Sequence, residues 1–431
     1  MSSILTNNGA MVALQTMKAI NKNMGQVQSE ISTGKAVGSA KDNAAVWAIS
    51  KTMESDVSGF QAISSSLSLG SSTIAVARSA SEQITNLLTE VKGKIVSSQE
   101  ANVDRTKVQA DIGALRDQIS SIVGAAQFNG LNMLSNKSIT AGSGTVDVLA
   151  SLDRASNGTV SASNIRVDKA DLSTTISAVG GAALAGAALS AKVGGASTTA
   201  DTVLTGAATA PTTTATFVNG AIAAGDGFNV TITGGAGGLT DATTTTIQEI
   251  RYVARDGDTA ADVASGLAKA FNDYALSKGL EGKMSASAGT GANANQLTFT
   301  GSTTGGDNAT VRVNGYAAAG NTIGGGLEKL SSIDVSTSDG AASALRSIEE
   351  LTQTAIQAAS DFGTAQKRIE IQNTFVGNLV DSLKSGIGSM VDANMEEASA
   401  RLQALQVQQQ LATQSLSIAN QAPQSILALF R

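Results

Sequence analysis

The 431-residue chain contains no cysteine and no histidine, has only two prolines (Pro211 and Pro423), and carries thirteen aromatic side chains. Without histidine there is no Ser-His-Asp triad, no His-ligated zinc and no imidazole base. Without cysteine there are no disulfides, no thiolate nucleophile and no iron–sulfur ligands. Only carboxylates, Lys, Tyr and Ser/Thr are left for chemistry, and the sequence predicts a protein that is not an enzyme and holds no cofactor or metal. Charged residues make up 15% and the net charge is −6, so bulk electrostatics argue against a nucleic-acid partner. Apolar runs fall short of the roughly 18 residues a membrane span needs, and Asn7, Asn8 and Gly9 interrupt any secretory hydrophobic stretch. The expectations are no membrane and no cleaved signal peptide.

The chain divides by composition into three blocks. Thirty of the 45 glycines fall within residues 139–335, with ten before and five after. The same middle block carries 16 acidic and 11 basic side chains, while the flanks together hold 19 and 18, so nearly all the excess negative charge is central.

Both flanks share one period. Apolar positions run Val46, Ile49, Met53, Val57, Phe60, Ile63, Leu67, Ile74, Ala77, Ile84, Leu88, Val91 and Ile95, with Gly70 and Ser81 as weak points. Val108, Ile112, Leu115, Ile119 and Ile122 repeat the spacing after a break at 99–104. The C-terminal flank continues it with Leu345, Ile348, Ala355, Ala359, Phe362, Ile369, Val376, Val380, Leu383, Ile387 and Met390, and again from Met395 to Ala419. A 3–4 spacing puts these residues on one stripe that needs another helix against it. A helix over 44–98 would be about 80 Å long, so the pattern predicts an elongated helical bundle, with 108–123 as an antiparallel neighbour and Ser39 or Asp42 as N-cap of the long helix.

The middle block reads as β-rich. Alternating runs at 217–222, 228–233, 245–254, 283–288, 297–300 and 311–314 suggest strands, and Asn–Gly pairs at 129, 157, 219 and 314 suggest turns. One helix, 259–276, opens with a Thr259/Asp262 capping box and places Val263, Leu267, Phe271 and Tyr274 on one face. Residues 180–215 have few large side chains and are expected to be loose.

Candidate sites in this block resolve into structure. Gly279, Gly282 and Lys283 have the wrong spacing for a phosphate loop. Asp256, Asp258 and Asp262 lack the rest of a calcium loop and suit a turn leading into a helix cap. No pair of carboxylates is singled out for glycoside chemistry. Methionines 11, 17, 24, 53, 390 and 395 lie on the helical stripes, as core would. Asn136, Asn157, Asn229 and Asn308 match N-x-S/T, a cheap match in a Thr-rich chain.

The two ends are weakly amphipathic. Met11, Leu14, Met17, Met24, Val27 and Ile31 stand opposite Leu402, Leu405 and Leu416, and neither stripe suffices to fold alone. Segments that gain order only on association suit a self-polymerising subunit with head-to-tail contacts that do not close.

Here the residues resemble a known family. ILTNNGAMVAL (4–14), STGKAVGSAKDNAAVWAI (32–49), AAQFNGLNML (125–134) and the stretch 388–431 ending Ala428-Leu429-Phe430-Arg431 resemble bacterial flagellin, most like those of alphaproteobacteria. Residues 222–299 also resemble a small β-α-β insert found in some flagellins and hook-associated proteins. The implied fold is α+β and multidomain, an elongated coiled-coil bundle from both termini with a β-rich central outer domain containing the insert. The implied division is 1–43 inner segment, 44–138 first half of the rod, 139–335 surface domain, 336–390 second half of the rod and 391–431 inner helix.

By the same resemblance the chain is exported unfolded without a cleaved signal and polymerises outside the cell into the filament for swimming. Its implied partners are other flagellin subunits, an export chaperone, and the filament cap and hook-associated proteins. Inner assembly residues would be Ile4, Leu5, Met11, Leu14, Met17, Met24, Val27, Ile31, Leu402, Leu405, Leu416, Leu427, Leu429 and Phe430. Rod-core residues would be Val46, Ile49, Met53, Phe60, Ile63, Leu67, Leu88, Val91, Ile95, Leu345, Ile348, Phe362, Val376 and Leu383. In one respect the chain departs from flagellins sensed by the vertebrate flagellin-recognising Toll-like receptor. The place of their arginine-bearing stretch is held by Thr89, Glu90, Val91, Lys92, Gly93 and Lys94, which implies poor recognition. A hook–filament junction protein shares the paired-termini plan and stands as the alternative. A displayed metallopeptidase would need histidines, and a coiled-coil adhesin would not depend on its last few residues to assemble.

Overall fold

A computed structural model describes residues 7–429 apart from 101, 156, 158 and 196–200; for 339 and 422–429 it describes the backbone alone. Besides a single turn at Ala187–Ser190, the α-helices described are α1 (Asn8–Thr33), α2 (Ala44–Ser97), α3 (Arg105–Ala125), α4 (Ala260–Ser277), α5 (Ser338–Val391) and α6 (Met395–Leu429). Strands β1 (Gln127–Phe128) and β2 (Leu131–Asn132) form a tight hairpin, as do β3 (Thr145–Arg154) and β4 (Val160–Asp168). The rest are β5 (Val193–Gly195), β6 (Thr202–Thr205), β7 (Thr212–Phe217), β8 (Gly227–Ala236), β9 (Arg251–Val253), β10 (Ser285–Ala288), β11 (Gln296–Thr300) and β12 (Asn308–Tyr316). They make two four-stranded sheets, ordered β10-β11-β7-β5 and β6-β12-β8-β9.

The chain folds as two units. One comprises residues 1–65, 151–161 and 373–431, the other 66–150 and 162–372. In the second, α2 presents Leu67, Ile74, Ala77, Ile84, Leu88, Val91 and Ile95 buried at alternating spacing. Facing it, α5 buries Ala341, Ala344, Ile348, Leu351, Ala355, Ala358, Phe362, Ala365 and Ile369. Two ties set their antiparallel register: Arg78 Nε donates to Gln366 Oε1 at 2.9 Å, and Lys92 pairs with Glu349. α3 reverses against α2 through Asp104, whose carboxylate caps the amides of Thr106 and Lys107, and through the Lys94–Asp111 pair at 2.6 Å.

Both weak points of the α2 stripe occupy seam positions for a reason. Ser81 is fully buried and returns its hydroxyl to the Ala77 carbonyl at 2.8 Å, so no polar group is stranded. Gly70 admits Val148 of β3, since a Cβ there would stand 2.7 Å and 2.8 Å from the two Val148 methyls. In the first unit, Gly59 similarly faces Leu152, where a Cβ would stand 2.9 Å from Cδ1. The β3–β4 hairpin therefore lies against α2, with Arg154 paired to Asp56 and Gln372 of α5 donating to the Ala150 carbonyl at 3.0 Å. It does not belong to the core of the central sheets, which begins at Leu189.

Several expectations need correction. Ile49 is 53% exposed; the inward position is Ser50, whose hydroxyl bonds the Trp47 carbonyl at 2.9 Å. The steps 46, 50, 53, 57 keep the 4-3-4 rhythm, so the stripe follows geometry over hydrophobicity. The cap of α2 is Asn43, which accepts from Val46 N, while Asp42 closes the preceding turn by accepting from Gly38 and Ser39. Those bonds, Ser39's backbone amide first, hold the Asp42 carboxyl below its usual range. The segment 180–215 is not loose where described: Leu189, Val193, Leu204 and Ala215 are buried in the core shared by the two sheets and α4. The strand expected at 217–222 is β7, lying earlier, and only the end of 245–254 is a strand.

Replacing Gly70 by Ala should lose about 1 kcal/mol net, overpacking against Val148 outweighing the gain in helix propensity. In a Val148→Ala background the same change should turn neutral or stabilising by up to about 1 kcal/mol. Urea unfolding of the four variants followed by circular dichroism checks the reversal of sign.

Candidate functional site

The first and last described helices meet each other. α1 begins where Asn7 accepts the Ala10 amide at 3.1 Å and ends at Gly34, whose φ of 69° is a left-handed cap that L side chains resist. The chain beyond is stitched to the end of α5 and the α5–α6 connector: Ala36 N and Val37 N donate to the Val391 carbonyl at 2.8 Å and 3.2 Å, and Ala393 N donates to the Gly34 carbonyl at 2.9 Å. From that clamp α1 and α6 run antiparallel. Their seam buries Ile20 and Val27 against Ala398, Leu405 and Ala412, with Met17, Met24, Ile31 and Leu402 at its margins. Midway, Gln409 donates to Asn21 Oδ1 at 2.9 Å. At the far end the Asn7 amide nitrogen donates to the Ala419 carbonyl at 2.8 Å.

The seam closes one face only. Val12 (62% exposed) and Leu411 (57%) line an apolar groove across the pair, with Gly9, Ala13, Thr16 and Ser415, and Ile418 follows two turns after Leu411 at 64%. Met11, Leu14, Val407 and Met395 are exposed as well. Of the expected inner assembly residues, the structure brings Met17, Met24, Val27, Ile31, Leu402 and Leu405 together in the seam. Met11 and Leu14 point away from it, and Leu416 is half-buried. Ile4, Leu5 and Phe430 lie outside the described residues, as do the side chains of Leu427 and Leu429. Sequence reading missed Asn7, Val12, Leu411 and Ile418; the last three were legible as apolar residues off the stripe.

Among expected rod residues, Ile63, Leu67, Leu88, Val91, Ile95, Ile348, Phe362 and Val376 are buried. Val46, Met53, Phe60, Leu345 and Leu383 are half-buried, and Ile49 is the outward exception. In the stretch 89–94, Thr89, Glu90 and Gly93 are exposed and Val91 faces the seam. Both lysines there are engaged, Lys92 with Glu349 and Lys94 with Asp111, the latter bond holding the Lys94 ammonium above its usual range.

The acidic turn at 256–262 builds structure. Asp258 accepts from the Tyr252 hydroxyl at 2.6 Å and the Arg255 amide at 2.8 Å; burial pushes its carboxyl above the usual range. Asp256 accepts from the Gly144 amide at 2.6 Å, and Thr259 and Asp262 form the capping box of α4. Among the described residues no three His, Cys, Asp or Glu side chains converge as a metal site. Of the four N-x-S/T matches, Asn136 and Asn229 are buried, Asn308 is half-buried and Asn157 is exposed. No described helix is long and apolar enough to cross a membrane.

The two terminal helices are thus zipped along one face and leave apolar side chains in water along another. Residues 4–138 match the bacterial flagellin N-terminal helical region, and residues 345–430 the bacterial flagellin C-terminal helical region. A Flagellin A of Rhizobium meliloti is 33% identical over 443 residues, and Flagellin A of Rhizobium meliloti strain 1021 is 36% identical over 453, each alignment covering all of both chains. A solved structure of FlgL from Xanthomonas campestris aligns at 12% identity over 79% of this chain and 99% of its own, with a TM-score of 0.34. The chain belongs to the bacterial flagellins, the self-polymerising structural subunits of the flagellar filament that drives swimming.

Leu405→Ala removes the largest wholly seam-facing side chain of α6 and should cost the terminal pair about 2 kcal/mol. Hydrogen exchange should show lost protection in α1 and α6 with α2 unchanged.

Proposed function

We propose that polymerisation of this flagellin runs through the outward face of the α1–α6 pair, with the seam holding the pair ready. What supports the reading is the division of labour within one helix pair: Leu405 and Val27 are buried between the helices, while Val12, Leu411 and Ile418 are left in water at more than half exposure. Burying side chains of this size contributes about 1.5–3 kcal/mol each, so a second copy is the natural cover for an open head-to-tail contact. Residues 1–43 and 391–431 would then be the inner layer, 44–138 and 336–390 the rod, and 139–335 the surface, with the β3–β4 hairpin counted to the rod.

The working parts of this scheme are mechanical, so the chain is read as non-catalytic. An export chaperone would cover the C-terminal helix before assembly, and cap and hook-associated proteins would meet the same ends at the filament's termini. The chain would leave the cell without a cleaved signal and serve outside it. Thr89 to Lys94 would contact the vertebrate receptor poorly, because Glu90 presents the opposite charge and both lysines are already paired.

Leu411→Ser and Ile418→Ser should leave the monomer's helical circular dichroism unchanged and block filament growth, as should deletion of 424–431. Electron micrographs with long filaments from all three would contradict the proposal. A reporter-cell assay with purified monomer should stay silent at nanomolar concentrations; full activation there would sink the receptor reading.

A further inference from the structure

α6 continues as helix from Met395 to Leu429 although Pro423 lies within it. A proline has no N–H, so the carbonyl four residues earlier loses its helical donor. That carbonyl belongs to Ala419, which is half-buried, and an unpaired backbone oxygen there is costly. The donor it receives comes from 412 residues away: Asn7 Nδ2, at 2.8 Å. The other end of the same amide, Oδ1, accepts from Ala10 N at 3.1 Å and so caps α1. One side chain thus starts one helix and mends the interrupted ladder of the other. Of the capping residues, only asparagine has a separate donor and acceptor on one planar group.

The position matters because the seam does not reach it. The first α1 residue in the seam is Met17, and the first buried one is Ile20; Met11, Val12 and Leu14 are exposed. An apolar heptad seam also fixes register weakly, and polar contacts specify it. The clamp at 34–37 and 391–393 holds one end, Gln409 and Asn21 tie the middle, and the first two turns of α1 are tied to α6 by Asn7. At Gly9 the helices come close, with the Ala419 methyl 3.9 Å from where a Cβ would stand.

We propose that Asn7 and Pro423 form a register latch: the proline frees the Ala419 carbonyl, Asn7 takes it, and the latch holds α1 against α6 so that the groove of Val12 and Leu411 has the shape a second copy of this chain fills. Asn7 is a positioning residue for assembly, and the proposal rests on the reading that the terminal pair is the assembly element.

The test is seeded polymerisation of the full-length chain, read as critical concentration by light scattering. Asn7→Asp keeps a good N-cap with a favourable charge, loses the donor and sets a carboxylate oxygen against the Ala419 carbonyl. Asn7→Ser keeps the cap without the charge. Both should raise the critical concentration about tenfold. Pro423→Ala restores a helical N–H to Ala419, so it should polymerise nearly as wild type and bring Asn7→Ser back to within about threefold of itself. A role limited to capping or helix propensity would not be rescued that way. Normal assembly by both Asn7 variants, or a deficit that persists in the Pro423→Ala background, overturns the latch. Should Leu411→Ser and the 424–431 deletion also assemble normally, the assembly reading itself falls.

Discussion

A stripe of apolar side chains at alternating three- and four-residue steps has no stable existence in water, and the architecture follows from satisfying it. Ile63 to Ile95 on α2 keep the rhythm for nine steps, of which β3 covers only the place at Gly70. A stripe of that length calls for another long helix with a matching stripe. α5 supplies it from the other end of the chain, which obliges the polypeptide to leave after α3 and return some two hundred residues later. The central sheets occupy that excursion. Because α2 and α5 run antiparallel, the segments before α2 and after α5 start from neighbouring points, at Gly34 and Ala393. α1 and α6 therefore start side by side, and the modest apolar edge of Ile20, Val27, Leu405 and Ala412 is enough to pair them.

The seam also explains where reading the sequence succeeds and fails. Periodicity located the bundle helices because each step contributes a buried residue, and errors arise where a seam position is filled by something other than a large apolar side chain. Ser50 takes the inward place and Ile49 the outward one, since the hydroxyl can be satisfied by a local carbonyl. Gly70 reads as a flaw in a helix and is a socket for Val148, a fact that depends on a strand 78 residues further on. The β3–β4 hairpin was illegible for the same reason: β4 is mostly exposed Ser, Ala and Asn, and β3 finds its apolar partners on α2. Residues 180–215 looked too small-sided to matter, yet short strands such as β5 and β6 need few large residues when Phe217 and Phe228 meet edge to face at 5.3 Å behind them. At the terminal pair the stripe of Met17 to Ile31 was visible; the contact of Asn7 with Ala419 was not, because no local pattern links the two ends of a chain.

The central sheets solve a different problem with different residues. Their core, from Leu189 to Val313, draws on α4 and both sheets and on no residue of α2, α3 or α5. Ion pairs bridge this block to α5: Lys269 of α4 pairs with Glu350 at 2.8 Å, Lys329 reaches Asp273 of α4 at 2.5 Å and Glu350 at 2.8 Å, and Arg346 pairs with Glu281, just beyond α4, at 2.7 Å. These groups keep a quarter or more of their surface exposed, and pairs of that kind contribute about 0–1 kcal/mol each. The central core is thus a hydrophobic cluster of its own, separate from the stripe on α2. The absence of cysteine and histidine costs nothing here: neither the seam, the open face of the terminal pair nor the central core calls for a group that titrates near neutrality or cross-links. What the chain must keep is geometric, a rhythm of three and four carried through serine and glycine where bulk would not fit, and one amide at Asn7 placed to answer for a proline at the other end.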